Sequence, residues 1–422
     1  MKKKVGRQIM ILIMGPIMGL IALLCVYYLP VTRMKENIYW SLDTITAEFD
    51  NEIQIAGFPA TLTGNFTDCL MLEHAVYNDE SHSILEQILH MYRGESFYNV
   101  DCQDVWHPGE SLKDYLSGGN QPREVEYARY WHGYLILLKP LLFLTSVNTI
   151  RLMNAGLQLT MVGVCIILMV KRGNEDLAYA FVGSVPFLYF VSTYASLSQS
   201  ICLFLMLIAV IILLLFNVFL WKRSLFGEYF LIVGMATSYF DFLTYPLITL
   251  GFPLCIFLAL YGTELKNKYW SMIQLTLEWI VGYLGMWVSK WILVDFLSGG
   301  NTMEDAMSTI MVRAGSAGGY KRMEGFSQVV YLNLNPYANW AFFILFIVLI
   351  ASIVVRKFKS KIKILRIYEG IPYIILGLYP FGWWFFALNH SFEHWMFTCK
   401  IISISVFAMQ VGVQAMIGEK PR

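Results

Sequence analysis

The sequence predicts an all-α, polytopic membrane protein, and three observations carry that prediction. Hydrophobic residues make up 57% of the 422-residue chain and charged residues only 14%. The mean hydropathy is +0.54, more apolar than the surface of a soluble domain of this size tolerates. Apolar runs approaching the roughly 20 residues needed to cross a bilayer recur along the whole length. A net charge of +1 gives no reason to expect a nucleic-acid partner.

The chain opens on Lys2–Lys4, Arg7 and an apolar stretch, the layout of either a signal peptide or an anchor. No small-residue cleavage motif precedes Tyr27, Tyr28 and Pro30, so the stretch reads as an uncleaved first span. Runs that can span are 8–30, 149–170, 177–194, 198–221, 226–240, 244–262, 270–296, 338–355, 368–387 and 395–416. Pro246 and Pro253 divide 226–262 into two short helices rather than one. The expectation is about ten transmembrane helices in a single membrane domain, 1–422. Clustered cations then fall on one side: the N-terminus, Lys171–Arg172, Lys222–Arg223, Lys266 with Lys268, Arg356–Arg366 and the tail. The positive-inside rule makes both termini cytoplasmic, in a plasma membrane.

Two long segments remain for the outer face, 31–148 and 297–337, with a short third one, Asn389 to His394. The first carries helical patterning and aromatics, so it reads as folded, with amphipathic juxtamembrane helices. Its Cys69 and Cys102 are a candidate disulfide in an oxidising compartment; the other cysteines lie in or beside apolar runs as packing residues.

Polar residues gather in these segments. Asp68 is the first acid of a helical stretch, where Asn65 or Thr67 would cap and an acid favours the helix dipole. Glu73 lies about 140° around the same helix; Asp50 and Glu52 read as a solvated face. Asp101 and Asp104 flank Trp106 and His107. Arg129, His132 and Lys139 share a face of a Pro-containing apolar segment, where a lysine also snorkels to water. Arg151 opens the second span. Arg313, Lys321 and Arg322 bracket a Gly-rich run whose backbone can approach an anion. His390 and His394 are four apart beside Glu393, a spacing that leaves a divalent metal open, although a sugar or phosphate contact or interfacial anchoring with Trp395 fits as well. Asp241, inside an apolar stretch, is either a functional acid or the tip of a helical hairpin.

Over its first 170 residues this pattern resembles the GT-C superfamily of membrane glycosyltransferases. The resemblance lies in a first span leading to a long outer loop, then His132-Gly133-Tyr134, Lys139-Pro140-Leu141 and Arg151-Leu152-Met153-Asn154. The chain departs from the family at Met153, where a proline is usual, and lacks a paired Asp motif after the first span. The resemblance implies a polyprenyl-phosphate-linked sugar as donor, a glycan or lipid acceptor, and no further cofactor. It makes Asp68 the base that deprotonates the acceptor hydroxyl. It makes Arg129, His132, Lys139, Arg151, Arg313, Lys321 and Arg322 the cations that hold the departing phosphate. Asp101, Asp104, His390 and His394 become acceptor or sugar contacts. Two other classes compete: a transporter or lipid flippase, which calls for repeat symmetry and buried mid-membrane charge, and a non-catalytic polysaccharide-assembly protein.

Overall fold

All ten apolar runs are largely helical, and among the described residues five stretches are long and apolar enough by themselves to cross a bilayer. The computed structural model describes residues 2–45, 65–100, 103–118, 123–359 and 366–417. In chain order the helices are α1 (Lys2–Tyr27), α2 (Val31–Tyr39), α3 (Asn65–Val76), α4 (Ile84–His90), α5 (Pro108–Ser117), α6 (Leu135–Leu144) and α7 (Val147–Lys171). There follow α8 (Glu175–Ser184), α9 (Phe190–Ala195), α10 (Leu197–Arg223), α11 (Phe226–Phe240), α12 (Ile248–Tyr261), α13 (Lys268–Ser298) and α14 (Thr302–Ala314). The last are α15 (Arg322–Leu334), α16 (Trp340–Lys359), α17 (Ile367–Gly377), α18 (Tyr379–Phe386), α19 (Leu388–Glu393), α20 (Trp395–Thr398) and α21 (Ile402–Met416).

Among the described residues the long apolar helices are α1, α7, α10, α13 and the combined Trp395–Met416 segment. A sixth span arises if Arg322–Tyr337 and Trp340–Ile353, bent by 81°, are counted together. The chain is thus built as a polytopic membrane protein, and five or six of its described stretches, out of the ten runs expected, are long and apolar enough to span. Hydropathy counts apolar residues and ignores breaks. Helices α11 and α12, with 15 and 14 residues, reach only about 21–23 Å against a hydrocarbon core of about 30 Å. The run 177–194 is broken at Pro186 and at Tyr189, whose φ is 48°. The run 368–387 breaks between α17 and α18, where Pro380 opens the second piece.

The tightest helix pair is α11 against α13. A methyl group at Gly234 would lie 2.1 Å from the Trp279 carbonyl oxygen, and one at Gly282 would lie 2.0 Å from that of Leu231. Only glycine permits this approach, which brings backbone dispersion contacts that hold helices together where water is absent. Helix α1 joins the pair through Lys4–Glu278 at 2.9 Å, Arg7–Glu228 at 2.7 Å, and the Tyr239 hydroxyl donating to the Gly19 carbonyl at 2.7 Å. A second core forms where α8, α10, α12 and α21 meet around Phe181, Phe252 and Phe407.

The segment between α1 and α7 is folded onto the helix ends. Short antiparallel ladders pair β1 (Arg93–Glu95) with β4 (Arg123–Val125) and β2 (Phe97–Val100) with β3 (Gln103–Trp106). Two buried lysines fasten this layer. Lys139 donates to the Ala75 carbonyl at the end of α3 (2.7 Å), and Lys290 donates to the Ile88 carbonyl near the end of α4 (2.7 Å). Each cation meets the negative end of a helix dipole and satisfies a carbonyl that the helix leaves unpaired. Asp50, Glu52, Asp101 and Cys102 lie outside the described residues; Asp104 stands opposite Asn99 in the β2–β3 ladder.

Candidate functional site: an arginine-bearing aromatic chamber

Asp68 does not face a chamber. It is buried at the start of α10 and accepts four hydrogen bonds. The Ser196 and Ser198 hydroxyls donate to Oδ1 at 2.9 and 2.7 Å, and the Ser198 N–H donates to it at 2.9 Å; the Leu197 N–H donates to Oδ2 at 2.7 Å. The carboxylate thus caps the N-terminus of another helix, where backbone N–H groups and the dipole favour negative charge. Arg151 completes the arrangement, with Nη2 3.8 Å from Asp68 Oδ2 and 3.1 Å from Asn65 Oδ1. A carboxylate whose two oxygens are both committed to buried donors is not presented to an acceptor hydroxyl. Asp68, expected as base, and Arg151, expected as a phosphate ligand, thus face each other and tie α3, α7 and α10 into one unit.

His132 and Lys139, also expected at the phosphate, are likewise committed to partners within the protein. His132 is buried with φ 52°, its Nδ1 3.0 Å from the Tyr134 hydroxyl and its Nε2 3.1 Å from the Tyr127 carbonyl. Burial holds its pKa well below the ordinary histidine value, so the ring is neutral. Lys139, committed to Ala75 and lying 4.5 Å from the Tyr27 ring, has its pKa lowered to about 8 by burial. Neither side chain is free to meet a lipid phosphate. Arg322 donates to the Phe385 carbonyl at 3.1 Å and stacks 4.7 Å from its ring, pinning α15 to α18; Lys321 is exposed at the start of α15.

Arg129 and Arg313 do converge. Both line a cavity of about 320 Å³ with Tyr130, Leu243, Trp383 and one face of α13. That face is an aromatic ladder. Trp279, Tyr283, Trp287 and Trp291 recur every fourth residue, with successive ring centroids 5.0, 5.5 and 5.8 Å apart. The ladder is about 18 Å long. Ile280, Leu284 and Phe386, all exposed, form the cavity's edge, so the chamber opens onto an apolar stretch of the bundle surface.

The charges of the two arginines differ in their compensation. Arg129 donates from Nη1 to Asp305 Oδ2 at 2.7 Å and lies 5.0 Å from the Tyr127 ring. Arg313 forms no ion pair among the described residues; its Nη1 donates to Nδ1 of His390. Burial and the neighbouring Arg313 and His394 push the His390 pKa well below its ordinary value, so this partner is neutral. The chamber consequently carries an uncompensated positive charge. Arg313 Nε, Arg129 Nε and the indole N–H groups of Trp287 and Trp383 are buried without a hydrogen-bond partner among the described residues. Unmet donors around an apolar hollow are costly unless a ligand with acceptor oxygens satisfies them.

The His394 ring lies tilted against that of His390, with centroids 4.8 Å apart. With Nδ1 of His390 facing a guanidinium, this pair does not offer the two lone pairs a metal needs. Among the described residues one other group has metal-compatible spacing, Asp79, His82 and Glu124, away from the chamber, with His82 Nε2 already 2.9 Å from Glu124. Asp241 closes its own turn, accepting from the Leu243 and Thr244 N–H groups at 2.9 and 3.0 Å, the hairpin-tip alternative. Two features of the chamber were legible as spacing but not singled out: the i, i+4 aromatic series of α13, and Asp305, Thr309 and Arg313 on one face of α14. Compared with protein-family models, with curated proteins and with solved structures, the chain has no match in any of the three.

Proposed function

We propose that this protein is a GT-C-like membrane glycosyltransferase that moves a sugar from a polyprenyl-phosphate donor to an acceptor at the outer face of a plasma membrane. The observation that carries this reading is Arg313, an unneutralised cation beside an aromatic ladder that opens onto an apolar stretch of the bundle surface. An isoprenoid chain lies along Trp279–Trp291, and its phosphate meets Arg313 and Arg129, which stabilise the charge that develops as the sugar leaves. Phosphate binding competes with Asp305 for the Arg129 guanidinium. The displaced carboxylate, half exposed beside Arg129, then takes the proton from the acceptor hydroxyl as that oxygen attacks the anomeric carbon. In this reading Asp305 replaces Asp68 as base.

The transporter alternative calls for charge buried inside the spans. Lys290 and Lys400 are such residues, but each donates to a main-chain carbonyl, Ile88 and Met396 respectively, and serves as a helix fastening. That arrangement favours the transferase reading over a flippase.

Binding of a short prenyl phosphate, read from tryptophan fluorescence of the ladder, tests the proposal. Losing a charged hydrogen-bonding partner costs about 1.5–3 kcal/mol, so Arg313→Gln weakens binding by roughly 10- to 100-fold. Asp305→Asn leaves binding intact and abolishes transfer; intact transfer would instead leave a non-catalytic assembly protein. Equal affinity for the uncharged prenol and the prenyl phosphate would remove the reading altogether.

A further inference from the structure

A second, larger cavity of about 880 Å³ lies between α6, α7 and α10. Among the described residues no Asp, Glu, Lys, Arg or His lines it; Asn154 is its one side-chain amide, and the hydroxyls of Thr160 and Ser200 are turned into their own helices, donating to the Gly156 and Leu197 carbonyls at 2.8 and 2.7 Å. Its lining runs from Ile150 to Met161 on α7 and from Leu197 to Ile208 on α10. Eleven residue steps of helix correspond to about 16 Å, close to half of a hydrocarbon core of about 30 Å, so the groove has the depth of one leaflet. Leu137, Leu157 and Ile208 on its rim are 61%, 54% and 44% exposed on the lipid-facing surface.

The groove and the arginine chamber stand on either side of one aromatic wall. Tyr134 and Phe240 belong to the groove, Tyr130 and Leu243 to the chamber. Phe242 sits between them, its ring centroid 5.6 Å from Tyr134 and 6.4 Å from Tyr130. We propose that the groove holds the hydrocarbon chain of a second lipid, the acceptor, drawn from the outer leaflet, so that the sugar passes from one lipid to another. The absence of charge in the lining suits a chain and not a sugar or phosphate. Arg151, adjacent to the groove at Ile150, is matched with Asp68 and Asn65, which directs the phosphate-bearing donor to the chamber instead. The acceptor role rests on the transferase reading; occupancy by a lipid chain does not.

The full chain, reconstituted in phosphatidylcholine–phosphatidylglycerol vesicles containing a phosphatidylglycerol with a mid-chain diazirine, tests occupancy by photolabelling and peptide mass spectrometry. Label is expected to concentrate on groove residues of α7 and α10 over the equally exposed Phe216 and Phe219 of α10. Ser200→Trp, which fills the groove, loses that enrichment, whereas Arg313→Gln keeps it. Equal labelling of groove and control residues in the unaltered protein overturns the proposal, and so does enrichment that survives both Ser200→Trp and Leu205→Trp. In membranes labelled with a radioactive sugar, the product is expected in solvent-extractable lipid and is lost in Ser200→Trp. Product confined to the water-soluble fraction overturns the acceptor role while leaving the chamber reading intact.

Discussion

Replacing Asp68 by asparagine separates a fastening from a catalytic base. The substitution preserves size and keeps one oxygen, which can continue to accept from the Ser196 and Ser198 groups that meet Oδ1. The new amide N–H₂ then occupies the place of Oδ2, where it faces the Leu197 N–H and the Arg151 guanidinium, donors opposed to donors. An unsatisfied buried donor costs about 1–3 kcal/mol, and removing one partner of a buried ion pair costs about 3–5 kcal/mol. The two penalties overlap because both arise at Oδ2, so the expected loss is about 3–5 kcal/mol. Asp68 is only 1% exposed, and solvent screening does not reduce this much. Thermal unfolding of the solubilised protein should shift down, and amide exchange should accelerate in the first turn of α10. Adding Arg151→Gln removes the guanidinium that faces the new amide, so the double variant should lose less than the sum of the two single losses. If Asp68→Asn unfolds like the unaltered protein and keeps its α10 protection but loses sugar transfer, the fastening argument fails and Asp68 is the reacting carboxylate.

Two further predictions concern parts of the fold that the chamber depends on. Glu73 is buried on α3, with Oε1 accepting from the Gly94 N–H at 3.0 Å, and burial raises its pKa to about 8 despite the nearby Arg93. The unfolded chain ionises this group near 4.5 while the folded one keeps its proton. Stability should therefore fall as pH rises from about 4.5 to about 8, by up to ~1.4 kcal/mol per pH unit, and then level off. Glu73→Gln should flatten that limb in pH-dependent unfolding; an unchanged slope would show that Glu73 titrates normally. Gly282→Val places a branched side chain where even a methyl group would lie 2.0 Å from the Leu231 carbonyl. Overpacking a well-filled contact costs about 1–3 kcal/mol or more. The α11–α13 pair must separate, so prenyl phosphate binding along the ladder should weaken together with thermal stability; a drop in neither would contradict the close approach.

How much of this was legible in the sequence depends on what each residue's role requires. A long apolar run declares its helix locally, because α1, α7, α10 and α13 need only composition and length to be recognised. The breaks near Tyr189 and between α17 and α18 depend on backbone geometry that hydropathy does not register. Charge in an apolar context is legible as unusual, but the partner it meets is not. A lysine such as Lys139 looks the same in sequence whether it meets a phosphate or the carbonyl of Ala75, which is 64 residues away. Asp68 is separated from its donors on α10 by 128 to 130 residues, so its saturation is visible only once α3 and α10 are side by side.

The sequence alone therefore determined that this chain belongs in a membrane, that it is helical, and that its polar residues gather in two long segments between apolar runs. Those properties follow from the cost of placing unpaired backbone and charge in hydrocarbon, which acts on every residue wherever the chain goes. Only the tertiary structure decided which cations are spent on helix ends and which one is left over. Hydrogen-bond partners are chosen by packing across the bundle, and that packing leaves Arg313, beside a neutral histidine and an aromatic ladder, without an opposite charge among the described residues.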